Sequence, residues 1–342
     1  MTEADLKSAL ADYQRKTLEQ IRSIIPSREP RKYLYNLISE YSSRGGKGFR
    51  PSLCIATCRA FGGTLRESIS SAAALELFHN AFLIHDDIED GSYFRRTKAA
   101  LHRDYGVPIA INVGDAMNVL SIKPLMENLK KIGPELTYSV FSEVEHMVRQ
   151  SVEGQAIELG WRRDNETELS DSDYFRMTMK KTCWYTCIHP MRIGAIIGTG
   201  GKVNPDIFNR FGYFMGIAFQ IQDDLLNLKA DKEQYGKEVG GDILEGKRTL
   251  ILIHLLRNCS GNDKRFIRDF LLEDREDHTV EDGYRIMELM LKYESMEYSR
   301  KVAKTLAGAS LKEFYRLFSH LPESKDKHLL RSIILYMINR DY

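Results

Sequence analysis

Apolar residues recur at helical spacing along most of the chain. A run over residues 64–90 opens with a capping box at Thr64, and a run over residues 204–229 opens with Asn204 as a cap and Pro205 at the first helical position. Similar runs cover residues 5–25, 32–43, 51–61, 109–131, 136–158, 249–258, 281–306 and 328–340. No stretch alternates apolar and polar residues as strands do. The pattern therefore predicts an all-α protein of long helices.

A third run begins after the cap candidates Ser170 and Asp171, continues through MKKTCWYTC, and is predicted to kink at Pro190. The glycines of GTGGK at residues 198–202 are interpreted as a helix C-cap, because no strand-helix-strand rhythm surrounds them as it would a phosphate loop. Four glycines lie among charged side chains in residues 230–248. This segment is predicted to be a mobile lid, and a plain solvated loop is the alternative.

The chain has 342 residues, of which 43% are hydrophobic, so it can bury one large core or two smaller ones. Its net charge of +1 gives no general attraction for nucleic acid or anionic lipid. The first thirty residues are charged throughout and no run of about 18 apolar residues occurs, so we expect a cytoplasmic protein without stable membrane insertion.

The five cysteines include two CxxxC pairs, which we expect to be buried in helices rather than to bind zinc.

Two stretches, AFLIHDDIED and AFQIQDDLLN, share the frame Ala-Phe-x-Ile-x-Asp-Asp. On a helix Asp86 and Asp90 lie one turn apart, with Asp87 to one side, and repel each other by about 0.2–0.5 kcal/mol, which suggests that a cation sits beside them. Their hard oxygen atoms suit Mg²⁺, which binds through one or two carboxylates and a substrate phosphate. Asp223 and Asp224 can hold the same phosphate from a facing helix. A lone DDxxD is a common surface pattern, but the repeated apolar lead-in argues against surface decoration in both copies.

Basic residues cluster in RGGKGFRP, where glycines let an anion approach the backbone and Pro51 begins a helix with free N-terminal amides. This stretch contains Arg44, Lys47 and Arg50. Other basic candidates are Arg95, Arg96, Lys180, Lys181, Lys237, Lys247 and Arg248. His79 precedes Asp86 by seven residues on nearly the same face, although a lone histidine there is more often a core residue. The chain therefore has candidate sites for a metal-bound phosphate and for a second anion.

Two ExxH sequences, Glu76-x-x-His79 and Glu143-x-x-His146, also allow a di-iron carboxylate bundle, an oxygen-using oxidoreductase. That alternative requires an inward glutamate on each of two other helices. It leaves the repeated Asp-Asp frame and RGGKGFRP without a role. We therefore rank it below a magnesium and diphosphate site.

Five motifs in order resemble those of the trans-isoprenyl diphosphate synthases, and among them the geranylgeranyl diphosphate synthases. GGKGFRP resembles the family's GGKxxRP, and DDIED followed by two arginines resembles its first aspartate-rich motif. Lys181-Thr182, FQIQDDLLN and GKEVGGDILEGKRTL are similar to the family's Lys-Thr pair, its second aspartate motif and the segment that follows. The resemblance extends by motif from about residue 40 to 255.

The resemblance implies a single all-α domain, residues 1–342, in which a large helical bundle surrounds a central cavity and a short helical extension covers about residues 1–30. It implies a homodimer that acts on small isoprenoid diphosphates with Mg²⁺, three ions per active site. Carried over by position, the metal ligands and catalytic residues are Asp86, Asp87, Asp90, Asp223 and Asp224, with Lys181 as a further catalytic residue. Residues expected to bind the allylic diphosphate are Arg95, Lys181, Thr182, Gln220, Lys237 and Lys247. Residues expected to bind isopentenyl diphosphate are Lys47, Arg50, His79 and Arg96.

The implied reaction joins isopentenyl diphosphate head to tail to dimethylallyl, geranyl or farnesyl diphosphate. In the resembled family, bulky residues four and five places before the first aspartate shorten the product. Here these are Phe82 and Ala81, one large and one small, which favours geranylgeranyl diphosphate; ordinary core packing of Phe82 is the alternative. Asn227 and Thr97 depart from the family, which has an aspartate and a glycine there. A terpene cyclase of the same fold is the nearest alternative, and it would not need the second diphosphate site.

Overall fold

The computed structural model describes residues 1–229, 240–273 and 275–338. Its α-helices in chain order are α1 (Glu3–Ile24), α2 (Asn36–Ser42), α3 (Phe49–Ala60), α4 (Leu65–Glu89), α5 (Leu101–Tyr105), α6 (Val107–Leu120), α7 (Ile122–Lys131), α8 (Pro134–Arg163), α9 (Asp171–Thr178), α10 (His189–Thr199), α11 (Asn209–Lys229), α12 (Gly241–Leu244), α13 (Leu250–Asn258), α14 (Gly261–Leu272), α15 (Val280–Lys292), α16 (Ser295–Phe318) and α17 (Lys325–Ile338). Two π-helices, Arg31–Tyr35 and Met179–Ile188, and two 3₁₀ turns, Pro205–Phe208 and Arg275–Asp277, complete the helical structure of these residues. The predicted fold class, an all-α bundle around a cavity, is confirmed.

The bundle is organised around the two helices that carry the aspartate motifs. α4 packs against α3, α6 and α7, and α11 packs against α16 and the second π-helix. Thr64 and Glu67 form the predicted reciprocal capping box of α4. Asn204 accepts a hydrogen bond from the Asp206 amide and Pro205 follows it, as predicted, although the first turn is 3₁₀ and α11 begins after it. Buried apolar side chains of these helices form the core.

Two predicted helices are each divided in the structure. The prediction of one helix over residues 109–131 is wrong because α6 ends at Leu120 and α7 begins at Ile122. Pro124 lacks the N–H that would bond to the Leu120 carbonyl. The prediction over residues 281–306 is also wrong, because Glu294 adopts a left-handed conformation with φ of 56° between α15 and α16.

The helix type changes just before Pro190. Ten residues, Met179–Ile188, form a π-helix, and α10 then begins at His189. The His189 amide donates to the Trp184 carbonyl, five residues back. Pro190 has no amide hydrogen to continue an α-helical ladder, which accounts for a disturbance at this point but not for its length. Gly200 ends α10 in a left-handed conformation, as the C-cap interpretation predicts.

The described residues also contain one short hairpin that the helical pattern did not predict. β1 (Phe94–Arg95) and β2 (Lys98–Ala99) pair antiparallel, with Phe94 opposite Ala99 and Arg95 opposite Lys98. All five cysteines are free and buried, which confirms the expectation that they belong to the core. Over the described ranges, we find no helix whose length and hydropathy would let it cross a bilayer.

Candidate active site

A cavity of about 940 Å³ lies between the helices that carry the predicted motifs. Its walls come from α3, α4, α6, α8, α9, the Met179–Ile188 π-helix and α11. Carboxylates from the two aspartate motifs line one part of the cavity, and Lys47 and Arg50 of RGGKGFRP line another. Apolar and aromatic side chains, including Phe82, Val148, Val152, Tyr185 and Phe219, lie along the walls. The cavity therefore combines two charged regions with an apolar wall.

The first aspartate motif presents Asp86 to the cavity and buries Asp87. Asp86 lies 3.3 Å from Arg95 Nη2 and 3.4 Å from Lys181 Nζ. Asp87 does not line the cavity; its Oδ1 accepts from Arg95 Nε at 2.7 Å. Burial lowers the pKa of Arg95, but Asp87 and Asp86 outweigh that effect and raise it. Arg95 therefore stays charged between the two aspartates.

Asp90 is buried behind the cavity in a network of ion pairs. Its Oδ1 accepts from Arg162 Nη1 at 2.7 Å, and its Oδ2 lies 2.7 Å from Lys247 Nζ. Lys247 also contacts Glu245 at 2.7 Å and Asp242 at 3.4 Å. Burial opposes the charge of Lys247, yet these three carboxylates raise its pKa well above the usual value. The network ties the end of α4 to α8 and to the α12 region.

The second aspartate motif presents Asp223 and Asp224 to the same cavity. Asp224 accepts hydrogen bonds from Tyr174 Oη at 2.8 Å and Gln220 Nε2 at 2.9 Å. Burial, followed by the charge of Asp242, raises the pKa of Asp224 to about 8. A cation near this group would favour its ionised form. Asp86, Asp223 and Asp224 form the acidic region of the cavity, which a bound cation would stabilise.

Asn227, which departs from the resembled motif, has a defined structural contact. Its Oδ1 accepts from the Asp242 amide at 3.1 Å, and its backbone carbonyl accepts from the Gly240 amide at 2.9 Å. An aspartate oxygen could accept the first of these bonds equally well. The substitution therefore keeps the contact between α11 and the α12 region while removing one negative charge.

Three other residues predicted for the allylic diphosphate line the same cavity as the acidic region. Lys181 and Thr182 come from the π-helix and Gln220 from α11. Lys181 Nζ lies 2.6 Å from Glu158, and Thr182 Oγ1 donates to Gln220 Oε1 at 3.0 Å. Burial opposes the charge of Lys181, but Glu158 and Asp86 raise its pKa. Together with Arg95 and Lys247, these residues line the same cavity as Asp86 and Asp223; Lys237 lies outside the described residues.

The residues predicted for isopentenyl diphosphate form the basic region. Arg50 Nη1 lies 3.1 Å from His79 Nε2, and its Nη2 donates to Thr186 Oγ1 at 2.8 Å. Burial, followed by the charges of Arg50 and Arg96, lowers the pKa of His79 well below its usual value. The neutral ring then accepts from Arg50 through Nε2 and carries its proton on Nδ1. Lys47 lines the same region, with Nζ 5.2 Å from the centre of the Tyr336 ring.

The two residues predicted to control chain length lie on different sides of α4. Phe82 lines the cavity, with its ring centre 5.7 Å from that of Tyr185 in an edge-to-face arrangement. Ala81 does not line the cavity; it is buried in an apolar cluster that includes Val113 and Met117 of α6. Of the pair, the structure brings Phe82 to the cavity wall.

Comparison with known proteins identifies the family. A family model described as polyprenyl synthetase matches residues 31–290, which is most of the chain. The chain belongs to the polyprenyl synthetase family. This confirms the family predicted from the motifs and supports trans-prenyl transfer as its activity.

Relatives of this polyprenyl synthetase family member differ in their named products. A short chain isoprenyl diphosphate synthase from Methanothermobacter thermautotrophicus is 32% identical over 299 residues, 87% of this chain and 89% of the relative. An octaprenyl diphosphate synthase from Haemophilus influenzae is 27% identical over 87% of this chain and 85% of the relative. The crystal structure of a geranylgeranyl pyrophosphate synthetase from Pyrococcus horikoshii matches with a TM-score of 0.86 and 30% identity over 99% of each chain. Family membership therefore does not fix product length.

Sequence analysis missed several residues that hold the predicted site residues in place. Arg162 and Glu158 of α8 pair with Asp90 and Lys181 across 72 and 23 positions of sequence, so no local spacing signals them. Asp242 and Glu245, by contrast, lie within the segment GKEVGGDILEGKRTL that resembles a family motif. This position could have indicated that they lie near the site.

The di-iron alternative is not supported by the geometry of the ExxH residues. Glu143 accepts a forked pair of hydrogen bonds from Arg192, at 2.6 and 2.8 Å, and lies 2.8 Å from His189 Nδ1. His146 Nδ1 lies 2.9 Å from His189 Nε2. Across the described ranges, no group of three or more histidine, cysteine, aspartate or glutamate side chains is arranged to hold a metal by itself. The carboxylate of Glu143 thus pairs with Arg192 and His189 rather than facing a metal site.

Proposed function

We propose that this member of the polyprenyl synthetase family is a magnesium-dependent prenyltransferase that makes geranylgeranyl diphosphate. The observation that carries the proposal is that one cavity contains both charged regions. Asp86 and Asp223 belong to its acidic region, Arg50 and Lys47 line its basic region, and Phe82 lies on its apolar wall. Two diphosphates with an apolar chain fit this distribution of charge. An allylic diphosphate would occupy the acidic region with metal, and isopentenyl diphosphate would occupy the basic region.

The residues of the acidic region suit Mg²⁺ chemically. Asp86 and Asp223 offer hard oxygen atoms from opposite helices, and Asp224 and Asp242 line the same cavity, so a cation bound there would offset the repulsion among these carboxylates. No group of three or more histidine, cysteine, aspartate or glutamate side chains among the described residues is placed to hold a metal by itself, but Mg²⁺ commonly completes its coordination with water and substrate phosphate. When bound, the metal would neutralise charge that develops on the leaving diphosphate. We propose Asp87 and Asp90 as supporting residues that orient Arg95 and Lys247.

Cleavage of the allylic C–O bond would be assisted by the cations around Asp86. Arg95, Lys181 and Lys247 are held by carboxylates before substrate arrives, so their charges are already oriented. Fixed charges in a partly buried site stabilise a departing anion without reorganisation. Thr182 and Gln220 would add hydrogen bonds to the same diphosphate.

The second diphosphate would bind beside the incipient carbocation. Arg50 Nε and His79 Nδ1 are buried and have no hydrogen-bond partner within the part of the chain that the structure describes. An incoming diphosphate would supply acceptors in this region. The double bond of isopentenyl diphosphate then attacks the allylic cation, and the adjacent proton is lost to the released diphosphate. The rings of Phe82, Tyr185 and Phe219 line the wall, exclude water and stabilise positive charge.

The proposed product length follows from the position of Phe82. Four residues on a helix are about one turn, so Phe82 lies about 6 Å deeper than Asp86 along the wall. A growing chain that starts near Asp86 meets this ring, whereas Ala81 packs into the apolar cluster against α6 and does not face the chain. The similarity to a geranylgeranyl pyrophosphate synthetase of known structure supports the same length.

Incubation with labelled isopentenyl diphosphate and separate dimethylallyl, geranyl and farnesyl diphosphates tests the proposal. Chromatography of the dephosphorylated products should show a C20 alcohol from each starter that is accepted. Release of a hydrocarbon from the allylic diphosphate alone would identify a cyclase instead. Absence of any chain elongation with Mg²⁺ would overturn the proposed function.

We further propose that the enzyme is a homodimer. Ile122, Met126 and Leu129 recur on one face of α7 and are exposed, and the neighbouring α6 exposes Val119. Residues at i, i+4 and i+7 share a helix face, so they form an apolar stripe. Such a stripe is better accounted for by contact with a second copy than by exposure to water.

A further inference from the structure

The hairpin that carries Arg95 and Arg96 contains a strained turn. Its two central residues, Arg96 and Thr97, have φ of 54° and 64°. Two-residue hairpin turns of this type favour asparagine or glycine, whereas a β-branched residue is disfavoured in the left-handed region. The strands on either side are two residues long, so their pairing alone gives the turn little support. Something outside the hairpin must hold the turn in this conformation.

Arg44 supplies that support from behind the second strand. Its side chain is only 2% exposed, and its Nη1 donates to the Ala99 carbonyl at 2.7 Å. Its Nε donates to Glu40 at 3.0 Å, and its guanidinium lies 5.0 Å from the centre of the Tyr41 ring. Glu40 in turn accepts from Lys98 Nζ at 2.8 Å. Arg44 and Glu40 thus clamp both residues of β2.

The turn sends its two arginines toward different regions of the cavity. Arg95 points to Asp86 and Asp87 in the acidic region. Arg96 Nη1 lies 3.4 Å from Asn80 Oδ1, and its guanidinium packs so closely on Gly46 that an added Cβ there would lie 3.1 Å from it. Both arginines line the cavity. One strained turn therefore sets the position of a cation in each region.

We propose that Arg44 is a positioning residue that holds the Arg96–Thr97 turn in its left-handed form and so places cations for both diphosphates. The inference rests on the proposed function, because it takes the two regions to be the two diphosphate sites. It reassigns Arg44, which the sequence suggested as part of an anion site, to a structural contact with the hairpin. Arg44 is absent from the cavity lining within the described residues.

A double-mutant cycle between Arg44 and Thr97 tests the proposal. Arg44→Met should raise the KM for both diphosphates by about tenfold, the effect expected when a charge-assisted hydrogen bond is lost. Thr97→Asn in the same chain should restore much of the loss, because asparagine adopts the left-handed region more readily. Arg44→Lys, which keeps the charge but not the forked geometry, should also raise both KM values. Arg192→Met is the matched control, since the Arg192 side chain is only 11% exposed and pairs with Glu143 away from the cavity.

The melting temperatures provide a readout that does not depend on catalysis. Thr97→Asn should raise the melting temperatures of the wild-type and Arg192→Met chains by similar amounts. It should raise that of the Arg44→Met chain by less, because without Arg44 the turn can leave the left-handed conformation and the strain at Thr97 is already relieved. Equal stabilisation in all three chains, without recovery of KM, would overturn the proposal. If the wild-type chain elongates no substrate, the proposed function fails, and the melting temperatures still decide whether Arg44 clamps the turn.

Discussion

At the scale of single residues, the proposed C20 product length rests on Phe82. Its ring lines the cavity about one helical turn from Asp86 and packs edge-to-face against Tyr185, so it limits the depth of the cavity on this side. Phe82→Ala removes this ring and should shift the product from C20 to longer prenyl chains. Chromatography of the products made from farnesyl diphosphate measures the shift.

Loss of packing is the competing explanation for any effect of Phe82→Ala. Truncation of a fully buried phenylalanine costs about 3–5 kcal/mol, and the partly buried Phe82 should cost no more than this, so the variant's unfolding is measured beside its products. Phe61→Ala is a suitable control because Phe61 packs against the core without lining the cavity. It should lose stability and keep the wild-type product. A folded Phe82→Ala enzyme that still makes only C20 would exclude Phe82 as the limit.

The sequence predicted the charged residues of the cavity better than the contacts that hold them. Asp86, Asp223 and Arg50 belong to motifs with recognisable local spacing, and all three line the cavity. Their positioning partners come from distant parts of the chain, as Arg162 does for Asp90 across 72 positions. Local periodicity contains no record of such pairs, because they depend on how the helices pack.

At the scale of helices, α17 supports the basic region through Tyr336. Lys47 Nζ lies 5.2 Å from the centre of the Tyr336 ring, a distance typical of a cation–π contact. Tyr336→Leu should raise the KM for isopentenyl diphosphate by about two- to fivefold, which corresponds to the loss of about 0.5–1 kcal/mol. Tyr336→Phe keeps the ring and should behave like the wild type. Initial rates with each substrate varied in turn measure the effect.

A second cation–π contact provides the control for Tyr336. Arg331, also on α17, lies 5.6 Å from the centre of the exposed Tyr315 ring. Tyr315→Leu should leave both KM values unchanged. An equal rise in KM for both substrates after Tyr336→Leu would contradict a specific effect on Lys47.

The pairing of α8 with α10 through Glu143 should govern stability in acid. Burial disfavours ionised Glu143, but hydrogen bonds from Arg192 and His189 outweigh burial and lower its pKa from 4.5 to about 2. The ionised group therefore stabilises the fold above pH 4.5, and this contribution, about 3 kcal/mol, is lost as the pH falls from 4.5 through about 2. Glu143→Gln should be less stable at neutral pH and lose less stability on acidification.

Urea unfolding at pH values between 3 and 7 measures this dependence. Glu145→Gln, on the exposed side of the same helix, is the control and should retain the wild-type slope. An unchanged acid slope in Glu143→Gln would show that other groups cause the loss.

The helices were predictable to different degrees for physical reasons. α4 and α9 begin at capping boxes, which are local signals that the sequence displays. The π-helix over Met179–Ile188 has no such signal, because its apolar pattern equally fits an α-helix. The β1–β2 hairpin was not predicted either, because each strand is too short to show alternation and its turn lacks glycine.

At the scale of the whole molecule, the apolar stripe of α7 predicts self-association. Met126 is 56% exposed in the isolated chain and lies at the centre of the stripe. Met126→Lys places a charge within the proposed interface and should weaken the dimer. Light scattering after size exclusion should give twice the chain mass for the wild type and a lower mass for the variant at matched concentration. Leu272→Lys, at an exposed position on α14, is the control. A monomeric wild type would contradict the prediction.

We propose that carboxylates of both aspartate motifs act together in one prenyl-transfer site. Turnover of labelled isopentenyl diphosphate by the wild type, Asp86→Asn and Asp223→Asn at saturating Mg²⁺ measures this joint action. Each substitution keeps the size of the side chain and removes its charge, so turnover should fall by about 100-fold or more while the helical circular dichroism stays unchanged. Turnover near the wild-type value in either folded variant would contradict the claim.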